Sequence, residues 1–86
     1  VMTKGTIEEQ TIVVLEDIKK TLELANCNFK DVVKAMVWLS KKEFFPGFNK
    51  IFSTYFPEDP PARSAVVNEL LVDVKVEIEV IAYKPE

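Results

Sequence analysis

The positions Ile7, Thr11, Val14, Leu15, Ile18, Leu22 and Ala25 recur three or four residues apart. That spacing places them on one face of a helix. Glu8, Glu16, Asp17, Lys19, Lys20 and Glu23 fall mostly on the other side. The pattern predicts an amphipathic helix over about Ile7 to Ala25. Thr6-Ile7-Glu8-Glu9 has the form of a capping box, in which a hydroxyl caps the first turn and Glu9 reaches back. Asn26-Cys27-Asn28 follows, and asparagine tolerates the left-handed backbone that closes a helix.

From Asp31 to Ser40 the period changes to two. Val33, Ala35, Val37 and Leu39 share one strand face, and Val32, Lys34, Met36 and Trp38 share the other. Both faces are largely apolar, which predicts an interior strand covered on two sides. Ser40-Lys41-Lys42-Glu43 reads as a second capping box. Pro46 sits too deep for a helix beginning at Lys41, so the reading is a short turn at Lys41–Phe45 and a helix at about Pro46–Phe56. Pro57, Pro60 and Pro61 then make a stiff loop. Arg63–Leu70 reads as a short strand and Val74–Tyr83 as a longer one. In the latter, Val74, Val76, Ile78, Val80 and Ala82 point inward. The brief link from Leu70 to Asp73 suggests that the two strands form an antiparallel hairpin. The order is α-β-α-β-β, an α+β arrangement with two helices on one sheet face. Met36, Trp38 and Ile81 would leave the second face apolar, and association with other copies would cover it.

Length and composition narrow the function classes. Eighty-six residues, 48% hydrophobic and 29% charged, suit one small globular domain of marginal core, spanning 1–86. A net charge of −3 leaves no strongly basic field, so general affinity for nucleic acid is not the first expectation. No apolar run approaches the roughly 18 residues of a membrane span. The chain has no histidine, which excludes Ser-His-Asp and Cys-His chemistry and histidine-containing zinc sites from its own residues. Its single cysteine, Cys27, cannot form an intrachain disulfide and points to a reducing compartment, the cytoplasm or, in a eukaryote, the mitochondrion. Cys27 reads as a small packing residue rather than a nucleophile. Two glycines, Gly5 and Gly47, cannot build a phosphate loop. Arg63 is the single arginine among 11 basic residues.

Pro61-Ala62-Arg63-Ser64 and Val76-Glu77-Ile78-Glu79-Val80-Ile81-Ala82, in that order and separation, resemble the YjgF/Rid family of reactive intermediate deaminases. Gly5-Thr6-Ile7 with Gln10-Thr11, Val32-Val33-Lys34, and Phe45, Asn49, Tyr55 and Phe56 extend the resemblance through the whole chain. It implies a chorismate-mutase-like α+β fold, with a mixed sheet carrying two helices, assembled as a homotrimer with sites in the clefts between subunits. It also implies hydrolysis of enamine and imine intermediates such as 2-aminoacrylate to 2-keto acids and ammonia, with no metal or organic cofactor. Family members are longer at the N-terminus, where a strand hairpin precedes the first helix. This chain begins after that hairpin, which would leave a four-stranded sheet and an incomplete cleft. Ala65 stands where many relatives have cysteine, and Leu71 where many have proline.

The resemblance makes Arg63 the substrate anchor, because a guanidinium fork can hold a carboxylate by two parallel hydrogen bonds. It makes Glu77 the acid/base group that delivers water and moves protons, a task suited to a carboxyl of raised pKa partly buried in a cleft. Glu79 is its neighbour on the same face. Ala65 would contribute backbone groups and Asn49 a side-chain amide to substrate binding. The plainer alternatives are a solvated arginine, a Glu77 paired with Lys75, and an Asn49 on a helix surface. Trp38, Met36 and the series Phe44, Phe45, Phe48, Phe52 and Phe56 read as core or trimer interface. The partners implied are other copies of the chain and a small carboxylate-bearing imine, enamine or keto acid. Alternative functions are a non-catalytic keto- or amino-acid-binding regulator, or an endoribonuclease that inhibits translation.

Overall fold

A computed structural model describes residues 5–57, 60–70 and 73–83. Helix α1 spans Ile7–Leu24. Both halves of its capping box form: the Glu9 N–H donates to Thr6 Oγ1 at 3.1 Å, and the Thr6 N–H donates to Glu9 Oε1 at 3.0 Å. That backbone hydrogen bond, with the Thr6 side chain adding to it, holds the Glu9 carboxyl below its ordinary pKa. Asn26 has φ of 58°, the left-handed closure read from the sequence.

A 3₁₀ turn at Phe29–Asp31 leads into strand β1, Val32–Leu39. A second 3₁₀ turn, Lys42–Phe44, precedes helix α2, Phe45–Tyr55, which carries Pro46 in its first turn. The capping box read at Ser40–Glu43 does not form, and Lys41, at the cap, makes no side-chain cap bond. The reason is that the Ser40 N–H, which Glu43 would have to take, is already used just beyond the end of β1, donating to the Lys75 carbonyl at 3.0 Å. Strand β2 spans Ala62–Val67 and strand β3 spans Val76–Ala82.

The sheet has three strands among the described residues, in the order β2-β1-β3. This corrects two expectations, the four-stranded count and the hairpin of the last two strands. β2 runs parallel to β1, as a β-α-β crossover through α2 requires, and β3 runs antiparallel to β1 on its other edge. The strands are shorter than expected, ending at Val67 and resuming at Val76, so eight residues rather than the brief Leu70–Asp73 link separate them. That is enough chain to pass the end of β1 and pair on its other edge. β1, apolar on both faces, takes the centre and offers an edge to each.

A register irregularity between Val32 and Lys34 corrects the face assignment of β1. The extra residue shifts Val32 to the covered face with Ala35, Val37 and Leu39, and leaves Val33 exposed. The covered face meets Ile7 and Leu22 of α1 and Phe48 and Phe52 of α2, with Phe56 just beyond, in one core. Only this face is covered. Met36 and Trp38 on the other stay half-buried, and Val66 and Ile81 are exposed.

Gly47 allows the two helices to touch. A Cβ there would lie 2.7 Å from Ile7 Cγ2 and 2.9 Å from Glu8 Oε1. Tyr55 closes the far side by donating its hydroxyl to Glu16 Oε2 at 2.6 Å.

Candidate functional site

The crossover from β1 through α2 to β2 decides where Arg63 stands. In register it pairs with Ala35, which is fully buried under the helices, so Arg63 belongs to the helix-bearing face of the sheet. β2 is an edge strand and all six of its residues are exposed. The guanidinium therefore reaches solvent while its inner side lies along α2. Its carbon is 5.0 Å from the Phe52 ring centroid, 5.4 Å from Phe45 and 5.8 Å from Phe48. Its Nη1 donates to Asn49 Oδ1 at 2.7 Å. Beside it opens a cleft of about 330 Å³, lined by Asn49, Phe52, Ser53, Phe56, Pro60 and Pro61 together with Arg63.

Two of the residues singled out in the sequence are thus brought together, Arg63 and Asn49. Ala65, in register with Val37, follows Arg63 on the same face. Glu77 is not with them. It pairs in register with Trp38, and Glu79 with Met36, which puts both carboxylates on the uncovered face. β2 and β3 flank β1, so Arg63 and Glu77 are two strand spacings apart and three residues apart along the strands. Their Cα atoms are separated by roughly 14 Å, and their side chains leave opposite faces. Lys75 does not form the ion pair with Glu77 considered above. Its ammonium lies over the Phe44 ring at 5.9 Å.

A second concavity, of about 410 Å³, runs between α1 and β3. Val13, Val14, Ile18, Leu22, Val76 and Val80 make it mainly apolar. Gln10 lies at one end, almost fully buried. Its Oε1 accepts from the Lys75 N–H at 2.8 Å, and its Nε2 has no partner among the described residues. Among the described residues no cluster of three carboxylate or thiol groups is placed to hold a metal ion. Cys27 is half-buried beside the core, with its thiol 3.6 Å from the Ala25 carbonyl.

Two features escaped the sequence reading. Phe45, Phe48 and Phe52 serve as a platform for Arg63 as well as core. Their spacing of three and four marked one helix face, but only the parallel crossover reveals that Arg63 lies against it. Gln10 is the second, and its signal was a polar residue within the apolar stripe of α1.

The family described as Endoribonuclease L-PSP matches residues 1–84. A RutC family protein of Pyrococcus horikoshii is 46% identical over 84 residues, which cover 96% of this chain and 67% of that protein. The crystal structure of a Thermotoga maritima protein superposes with a TM-score of 0.91 at 43% identity, over 96% of this chain and 66% of that one. A YjgF family member from Neisseria meningitidis gives a TM-score of 0.90 at 27% identity, over 96% and 72% of the two chains. The chain belongs to the Endoribonuclease L-PSP family, and its fold is the family's α+β fold. It spans about two-thirds of the length of the curated relatives it matches.

Proposed function

We propose that this chain is the subunit of a cofactor-free deaminase that hydrolyses small carboxylate-bearing enamines and imines, such as 2-aminoacrylate, to 2-keto acids and ammonia. The observation that supports this best is the Arg63 guanidinium. It is open to solvent at a cleft, set by Asn49 and unpaired with any described carboxylate. Such a fork is suited to a substrate carboxylate. Ala65, beside it on the edge strand, offers backbone groups.

The remaining chemistry is proton and water transfer. An enamine first takes a proton at its terminal carbon to become the imine. Water then adds to the imine carbon, giving one proton to a base while the nitrogen takes one up. The resulting carbinolamine loses its hydroxyl proton as the nitrogen, protonated again, leaves as ammonia. Glu77 is the carboxylate we assign to these transfers, acting first as base toward the water and then as acid toward the leaving nitrogen. Because Arg63 and Glu77 leave opposite faces of one sheet, a single subunit cannot present both to one substrate. The proposal therefore requires that neighbouring copies share each site. A homotrimer joined through the uncovered sheet face at Met36, Trp38, Val66 and Ile81 would bury that apolar surface and create clefts between subunits.

The test generates 2-aminoacrylate with a dehydratase and follows 2-keto acid release. Acceleration by the protein, lost in Arg63→Ala, supports the reading. An unchanged rate with the protein present, or full activity in Arg63→Ala, removes it. The family's description as an endoribonuclease favours a second reading, action on RNA. The net charge of −3 and the lack of histidine weigh against it. RNA cleavage by the purified protein that Glu77→Gln abolishes would favour it over the first.

A further inference from the structure

We propose that Asn49 and the phenyl rings of α2 form a charge-neutral seat, which fixes the orientation of Arg63 and leaves its whole positive charge to an anionic ligand. This rests on the reading of Arg63 as a carboxylate anchor. It makes Asn49 a positioning residue that acts through Arg63.

An arginine that must be held still is usually held by a carboxylate, which occupies the fork and cancels the charge. Among the described residues no carboxylate pairs with Arg63, and the one ion pair joins Lys41 to Glu43. The seat is built from neutral groups instead. The Phe52 face, 5.0 Å from the guanidinium carbon, and those of Phe45 and Phe48 restrain the cation from one side. Ring faces attract a cation without occupying its N–H groups. The Asn49 oxygen takes an N–H of Nη1 and so limits rotation. A guanidinium has five N–H donors, so most remain free for a ligand.

The platform is rigid. Phe48 is fully buried and Phe52 is 3% exposed. Their centroids are 5.4 Å apart, and Phe56 stacks on Phe52 at 4.6 Å. Asn49 leaves α2 one residue after Phe48, so the same helix turn sets both amide and ring. An aspartate would fit this place equally well in shape, but it would compete with the ligand. The neutrality of residue 49 is therefore the specificity-determining property.

The test is a titration of the whole chain with 2-ketobutyrate, comparing wild type, Asn49→Ala and Asn49→Asp, with the melting temperature of each. The seat predicts an order. Asn49→Ala loses the tether and binds a few-fold more weakly. Asn49→Asp keeps the shape but binds at least about tenfold more weakly, because a like charge faces the ligand. A purely structural asparagine predicts the reverse, since aspartate is the closer isostere. Phe45 is partly exposed, so Phe45→Leu tests the rings without risk to the core. It should weaken binding about two- to fivefold, and Phe45→Tyr should restore it. Wild-type-like binding by Asn49→Asp, or weaker binding by Asn49→Ala than by Asn49→Asp, overturns the seat while the anchor reading stands. Failure of the wild type to bind 2-ketobutyrate overturns both.

Discussion

The Tyr55 hydroxyl donates to Glu16 Oε2 at 2.6 Å and ties the end of α2 to the middle of α1. Burial first, and then the hydrogen bond and negative charge of Glu16, push the tyrosine pKa up to about 12. The fold therefore favours the protonated phenol. A pKa raised by folding contributes stability in full below the unfolded value of about 10, and loses it as pH rises toward the folded value. Tyr55→Phe should cost about 1 kcal/mol at neutral pH. Denaturant midpoints should show the wild type losing that margin between about pH 10 and 12 and the variant not losing it. A constant difference across that window would contradict this assignment.

Gly47 is the point of closest approach between the helices. Alanine is the better helix former by about 1 kcal/mol, so propensity alone predicts that Gly47→Ala stabilises. The new methyl would instead meet Ile7 Cγ2 at 2.7 Å. Glu8 can swing away, but the branched Ile7 side chain is part of the core. The steric term should win, with a net loss of about 1–2 kcal/mol. Thermal denaturation checks it. A fall of several degrees is the expected result, and a rise would show that α1 moves aside easily.

How much of this was legible in the sequence differs by element. α1 was readable almost to the residue, because a capping box and Asn26 are local chemistry at its two ends. α2 was displaced by one residue only, since Pro46 marks a first turn. The inward positions of β3 follow from strict alternation. Strand order was not readable, because alternation reports faces and says nothing of which neighbour supplies the hydrogen bonds. The shift at Val32 was hidden for a related reason: one extra residue in β1 is visible only against its partner. The same gap limited the site. Arg63 and Glu77 could each be singled out by type and motif, but whether they share a face depends on register.

The uncovered sheet face carries its own prediction. Trp38 is half-buried there and pairs in register with Glu77. Trp38→Glu would set two carboxylates opposite one another and remove the largest apolar group in the centre of the face. Light scattering should show an assembly for the wild type and a single chain for the variant, with the helical circular dichroism retained. A wild type that is monomeric, or a variant that assembles normally, would contradict association through this face.

If Arg63 and Glu77 act on one substrate from different subunits, as proposed, mixing two inactive variants should restore activity. Arg63→Ala and Glu77→Gln should each be inactive. When they are unfolded together and reassembled, some clefts receive the intact arginine from one chain and the intact glutamate from another. For random assembly of a closed ring, about one cleft in four is whole, so keto-acid release should return to roughly a quarter of the wild-type rate. Activity that stays at the level of the separate variants would contradict the shared site.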